Sequence, residues 1–307
     1  MKQKLKNKWG VTLFLVGTLL LGACSEESSV TEDPSQPLMQ VVTNGIETRA
    51  GVETQFATGD AIGIYVVNRV TENIPASLAG LTGNWLDNIK VTLGADGNWD
   101  GNSLLTWKDK NTVVDAYAYY PWKTTPGNAD ITAWPVEVSA DQSQASAIRG
   151  SDFLWAKTNG VSFATDEGRL TLRFKHCFAK LNIRITGNGI TNGAQIVSME
   201  ISRLKTAATF NMNTGEINGV TGEVQLIIPY YTSGVKNTAE VILIPQSVEA
   251  GELLSVTIQD QQNKRLFKYN LKETAVFKAG EEYNLQMEYT TENGLKSTFL
   301  SKGSEVK

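Results

Sequence analysis

Residues 170–185 read LTLRFKHCFAKLNIRI, and this stretch decides the class of fold. The inward, mostly apolar positions are even from Leu170 to Phe178 and odd from Leu181 to Ile185. A period of two is typical of a strand with one buried face, so the pattern predicts two strands. Because the inward side changes between Phe178 and Leu181, we expect a bulge or a strand break there. We place a domain boundary at this point.

Similar short runs recur along the chain and are separated by turns rich in Gly, Asn and Asp, whereas helical periodicity is hard to find. A polar turn at 211–216 predicts a hairpin. The sequence therefore predicts an all-β protein of two tandem antiparallel β-sandwich domains, at 50–178 and 179–290, followed by a polar tail at 291–307. The further candidate strands are 61–67, 90–93, 113–119, 152–157, 196–201, 207–212, 224–228, 240–244, 253–258, 265–271 and 283–289.

Length and composition exclude several classes of protein. A chain of 307 residues fits two domains at roughly 100–200 residues each, and 41% hydrophobic residues suffice for two cores. One His and two Cys exclude a His-rich metal site, an all-cysteine zinc site and a disulfide framework. The formal charge of −4 argues against a nucleic-acid partner. We predict no metal and no cofactor.

The N-terminus has the layout of a secretory signal peptide. Basic residues precede an apolar stretch from Val11 to Leu21, which is too short to cross a ~30 Å bilayer as a helix. The run Leu21-Gly22-Ala23-Cys24 resembles the bacterial lipobox, which implies a signal peptide at 1–23 and lipidation of Cys24. An ordinary signal peptide with a chance Cys is the alternative. We interpret residues 24–49 as a tether that includes a short first strand at 41–46.

The search for catalytic groups finds no constellation. His176 and Cys177 are adjacent, so on a strand they point to opposite faces and cannot act as a nucleophile with its base. The segment Asp96–Gly101 resembles the start of an EF-hand loop, but its twelfth position is Trp107 instead of Glu. The spacing of the carboxylates selects no pair suited to acid–base chemistry. We predict no catalytic residues, and therefore no enzyme.

The tryptophans beyond the signal peptide all lie in the first predicted domain. One interpretation is a large aromatic core. The other is an exposed aromatic surface that binds a glycan or a protein, with Trp99, Trp107 and Trp122 as its candidate residues. Periodicity does not separate the two.

Seven segments, in the same order along the chain, resemble the fimbrillin family of Bacteroidales, the lipoprotein-derived pilins and their accessory subunits. The resemblance implies transthyretin-like sandwiches. It also implies an outer-membrane or cell-surface location in a fimbrium, with a lipid anchor in the membrane and other fimbrial subunits as partners in a homo- or heteropolymer. The segments are Gly45–Ala50, Phe56–Tyr65, Ala116–Pro121, Ser151–Ala156, Phe174–Leu181, Ala208–Gly215 and Phe277–Tyr283.

The same resemblance implies a mode of assembly. An arginine-directed protease would cut between Arg49 and Ala50, and a strand of a neighbouring subunit would fill the groove left by the first strand. An uncut surface Arg49 is the alternative. The polar tail leaves stalk, tip and anchor positions open. The runner-up function is a surface lipoprotein that binds a glycan or a protein without polymerising.

Overall fold

The computed structural model describes residues 36–47, 55–127, 130–261 and 263–302. The first part of the chain contains β1 (Gln40–Ile46), β2 (Ala61–Asn68), β3 (Leu86–Leu93), β4 (Trp99–Asp100), a 3-10 helix (Asn102–Leu104), β5 (Val114–Tyr120), β6 (Trp134–Glu137), α1 (Ala145–Ser151), β7 (Leu154–Val161), α2 (Phe163–Asp166) and β8 (Arg169–His176). The second part contains β9 (Ala179–Thr186), α3 (Asn188–Thr191), β10 (Gln195–Asn211), β11 (Glu216–Ile227), β12 (Tyr230–Tyr231), β13 (Thr238–Leu243), β14 (Gln246–Val248), β15 (Gly251–Asp260), β16 (Asn263–Leu271), β17 (Ala275–Phe277), β18 (Glu282–Thr290) and β19 (Gly294–Lys302).

The N-terminal sheet has seven strands in the order β1-β8-β7-β5-β2-β3-β4. Its two edges approach each other, because the indole Nε1 of Trp99 in β4 lies 3.3 Å from Oγ1 of Thr43 in β1. The curled sheet encloses a core of alternating residues that are almost fully buried. Its completely buried members include Ile62, Ile64, Val91, Trp107, Leu170, Leu172 and Phe174.

The rest of the chain forms two five-stranded sheets and one small pair. One sheet has the order β11-β10-β15-β16, with β6 also pairing with β10; the other has the order β12-β13-β9-β18-β19; and β14 pairs with β17. A second apolar core lies among these sheets and includes Tyr117 and Tyr119 from the N-terminal sheet. The two parts of the chain therefore share packing, and the described residues form one compact unit.

The break between β8 and β9 is where the alternation places it. β8 ends at His176, β9 begins at Ala179, and the two strands belong to different sheets. Phe178 lies in this break with its side chain fully buried. The change of the inward side is thus a change of sheet. The division into two transthyretin-like domains stays a prediction.

The all-β class is confirmed, but the expectation of purely antiparallel sheets is wrong for two pairs. β1 runs parallel to β8, and β18 runs parallel to β9. In both cases the two strands are far apart in the sequence, with long intervening segments that return the chain to the same end of the sheet. A parallel pair needs such a crossover, and local alternation does not reveal it.

Two boundaries also differ from expectation. The segments 196–201 and 207–212 belong to one strand, β10. The register between β10 and β11 shifts at Arg203, which adopts a φ of 66°. Such bulges let a strand continue although its alternation is interrupted. The predicted polar tail contains β19, which pairs with β18. An edge strand gains its backbone hydrogen bonds from one neighbour, so a polar composition does not prevent it.

The hairpin predicted at 211–216 is present as the turn between β10 and β11. Gly215 has a φ of +74°, a conformation that glycine adopts without a steric penalty. Within the described ranges there is no helix with the length and apolar character needed to cross a bilayer.

Candidate functional site

Three of the predicted site residues, Cys24, Arg49 and Ala50, lie outside the described residues. The chain is described on both sides of the predicted cleavage position. It ends with β1 and Glu47 on one side and resumes at Gln55 on the other. The site can therefore be built from the strand before the cleavage position and from the segment after it.

β1 is the first strand expected at 41–46, and it occupies a slot at the edge of the N-terminal sheet. Val41 lies opposite Leu170 and Ile46 opposite Phe174 in the parallel ladder with β8. The amide of Glu47 donates to the carbonyl oxygen of Phe174 at 2.7 Å. Val41 and Ile46 are 6% and 5% exposed, so their side chains belong to the core. β1 thus supplies both an edge ladder and part of the apolar filling.

The other side of β1 is only partly closed. Just before the strand, the amide of Met39 donates to the carbonyl oxygen of Leu105 at 2.9 Å, and Leu38 forms an isolated bridge with Thr106. Further along, a groove of about 410 Å³ lies between β1 and β4 and is lined by Thr43 and Trp99. β1 is therefore held by an interrupted ladder on one side and by scattered contacts on the other.

The segment that resumes at Gln55 is anchored to the same core. The ring of Phe56 makes edge contacts with Trp99, Tyr120 and Phe174 at centroid distances of 5.1, 5.6 and 5.2 Å. Such pairs contribute about 0.5–1.5 kcal/mol each beyond the area they bury. Phe56 and Ile46 thus meet at Phe174 from either side of the predicted cleavage position.

An ion pair fixes this segment further. Nε of Arg149 in α1 donates to Oδ1 of Asp60 at 3.0 Å, and the amide of Ala57 donates to Oδ2 at 2.7 Å. The hydroxyl of Tyr120 donates to Oδ1 of Asp60 at 3.2 Å. Burial raises the pKa of Tyr120 to about 12, and the hydrogen bond to Asp60 raises the pKa of Arg149. Sequence spacing offers no signal for this pair, because 89 residues separate its partners.

The three candidate aromatic residues differ in how deeply they are buried. Trp107 is completely buried, and its Nε1 donates to the carbonyl oxygen of Gly168 at 3.2 Å. The prediction that Trp107 meets a ligand at the surface is wrong, because its ring fills the N-terminal core. Trp122 is half-buried under the ammonium group of Lys90, which lies 4.8 Å from the ring centroid. A ligand-binding role for Trp99 and Trp122 stays a prediction.

The surroundings of His176 indicate a structural role for this residue. Its side chain is buried, and Nδ1 lies 3.0 Å from Oδ2 of Asp152. Cys177 is buried just after the end of β8, where the chain crosses to the next sheet. In the described part of the chain, no three His, Cys, Asp or Glu side chains are grouped as metal ligands would be.

Comparisons with known proteins agree with this architecture. The sequence profile of the fimbrillin-like family matches residues 48–300. A protein of Bacteroides uniformis assigned as a fimbrium subunit, Fim1C, is 29% identical over 286 residues, which cover 90% of this chain and 89% of the relative.

Two solved structures, both assigned as cell adhesion proteins, share the fold. The first, from Bacteroides uniformis, has a TM-score of 0.64 at 22% identity and covers 87% of this chain and 97% of its own. The second, from Bacteroides ovatus, has a TM-score of 0.62 at 16% identity and covers 87% of this chain and 98% of its own.

Proposed function

The chain belongs to the fimbrillin-like family, and we propose that it is a fimbrial subunit exported as a lipoprotein through Cys24, cut after Arg49 and assembled by strand exchange. Its role in the fimbrium is structural or adhesive. The observation that carries the proposal is the position of β1. This strand directly precedes the proposed cleavage position, lies at a sheet edge and fills part of the core.

The physical consequence of losing β1 follows from its contacts. β8 would lose one of its two ladder partners, and the core would lose the side chains of Met39, Val41 and Ile46. Each buried apolar side chain of this size contributes roughly 1.5–3 kcal/mol relative to exposure. An opened groove of this kind is costly in water. A strand from a neighbouring subunit restores both the hydrogen bonds and the apolar filling.

Repeated head-to-tail, such contacts build an open filament, because each subunit both receives and supplies a strand. The lipid on Cys24 would hold the precursor at the outer membrane until the cut releases it. The partners are therefore other subunits of the same or a related kind.

An arginine-specific protease tests the proposal on the purified chain from Ser25 onward. We expect a selective cut after Arg49, seen by mass spectrometry, followed by oligomers or filaments in electron micrographs. Arg69, by contrast, is paired with the buried Asp115. Arg49→Lys keeps the charge and resists this protease, so it is the matched control. A clean cut that leaves a stable monomer would contradict assembly by strand exchange.

A second candidate function rests on Trp99. This half-buried ring lines the open groove beside β1, where it is partly accessible to a ligand. A non-polymerising surface lipoprotein could bind a glycan or a protein there. An intact Arg49 bond, together with ligand binding that Trp99→Ala abolishes, would favour this function over the fimbrial subunit.

A further inference from the structure

A cavity of about 280 Å³ opens directly beyond the end of β1. Ile46, the last residue of β1, lines it together with Tyr120 and Leu154 of the same sheet. Ile148 of α1 and Ile242 of β13 line it from other parts of the fold. The cavity therefore continues the slot of β1 past its last residue, and much of its lining is apolar.

The charged side chains around this cavity already have partners. A charged ligand would have to compete with one of these existing pairs. An apolar side chain needs only the apolar walls. The pairs are Arg149 with Asp60, Lys180 with Glu240 at 2.9 Å, His176 with Asp152 at 3.0 Å, and Asn182 with Glu282.

The register of β8 shows which residue of a bound strand would reach the cavity. Ile46 lies opposite Phe174, and β8 continues for two more residues to His176. His176 in turn pairs with Leu154, which lines the cavity. Because side chains two residues apart share a face, a strand that follows the path of β1 would direct its next inward side chain to this point.

We propose that this cavity is an anchoring pocket for the incoming strand of a neighbouring subunit. That strand carries a large apolar side chain two residues beyond the position of Ile46. The inference rests on the proposed strand exchange and adds a specificity determinant to it. A partner strand with this extra side chain binds more tightly than β1, so exchange is driven forward. Burial of one Leu-sized side chain corresponds to about 10- to 100-fold in affinity.

Displacement of the cut N-terminal fragment measures the effect. The chain from Ser25 onward carries a fluorophore at its N-terminus and is cut after Arg49 at a protein concentration too low for assembly, so that fragment 25–49 remains bound without a covalent link. Two competitor peptides are compared, the native sequence 36–49 and the same peptide with Thr48→Leu. We expect the Thr48→Leu peptide to displace the fragment at a concentration at least tenfold lower.

Variants of the pocket test where the added side chain binds. Ile148→Glu places a charge in the cavity, and Ile148→Trp fills it; both should abolish the advantage of the Thr48→Leu peptide. Val235→Glu makes the same apolar-to-acidic change at a position that is 60% exposed and outside the cavity lining, so it should keep the advantage.

Each outcome has a definite meaning. Equal displacement by the two peptides overturns the anchoring pocket but leaves strand exchange intact. An advantage that survives both Ile148 variants also overturns the pocket, because the side chain then binds elsewhere. If neither peptide displaces the fragment, the proposed strand exchange fails and the pocket falls with it.

Discussion

β1 and β18 each run parallel to a strand next to the break at 177–178, but they occupy different places in their sheets. β1 runs parallel to β8 before the break, and β18 runs parallel to β9 after it. β1 lies at the edge of its sheet, whereas β18 is hydrogen-bonded on both sides, to β9 and to β19. Removal of a parallel strand at an edge costs one ladder and leaves the other strands paired.

The buried side chains show the same contrast. Every second residue of β18 points into the second core, and Leu285 is completely buried there. In β1 the alternation is interrupted between Thr43 and Ile46, where the register with β8 shifts. A strand with a register shift and one ladder is held less tightly than a regular strand with two.

Two truncations of core side chains give the strongest test of the difference between β1 and β18. Leu285→Ala should lower the free energy of unfolding by about 2–5 kcal/mol, because it leaves a cavity in a strand that cannot shift. Val41→Ala should cost about 1–2 kcal/mol, since fewer atoms are lost and an edge strand relaxes more easily. Urea unfolding of the uncut chain measures both. Equal losses would show that β1 is as firmly integrated as β18.

High pH should weaken the sheet of β1. Burial raises the pKa of Tyr65 in β2 to about 12, above its unfolded value near 10. The unfolded state therefore loses its proton first. The stability that this group contributes is complete below pH 10 and is lost as the pH rises towards 12.

Tyr65→Phe tests this linkage. The variant should reduce the loss of unfolding free energy between pH 9 and pH 12 by about 2 kcal/mol, measured by urea titrations at each pH. Tyr230→Phe, at a partly buried position of β12 in the second part of the chain, is the control. An unchanged pH profile in Tyr65→Phe would show that other groups govern the alkaline loss.

The smallest effect concerns a hydrogen bond that joins the two edges of the N-terminal sheet. Thr43→Val removes the acceptor of the Trp99 indole, a loss of about 0.5–1.5 kcal/mol. In the cut chain, fragment 25–49 should dissociate about 2- to 10-fold faster. Thr238→Val removes a hydroxyl contact with Thr232 in the second part of the chain and should leave dissociation unchanged. Identical rates in all three proteins would mean that Trp99 does not retain β1.

Local pattern predicted much of the fold. The alternation around Leu170 and Ile185 located two strands and the break between them, because a buried face imposes a period of two on the backbone. The polar turn before Glu216 predicted the hairpin, since its glycine permits a positive φ. Alternation did not predict β10 as one strand, because a bulge interrupts it. It did not predict β19 either, because the pairing of this strand rests on backbone groups that all residues share.

The candidate site was less accessible to prediction. Resemblance indicated Arg49 and a first strand before it, but not that this strand is parallel to β8. The tryptophans could not be divided into core and surface, and Trp107 proved to be core. The Asp60–Arg149 ion pair and the cavity beyond Ile46 combine residues from distant segments, so the spacing of residues in the sequence does not predict them.

The sequence by itself determined the β class, the strand break, the hairpin and the membership of a family, because each rests on residues that are close together or on ordered local motifs. Only the tertiary structure decided which strands are parallel, which lies at an edge and what lies beyond Ile46. These properties depend on the order of strands in a sheet. That order is set by long-range burial and hydrogen bonding, which bring together segments that the sequence keeps far apart.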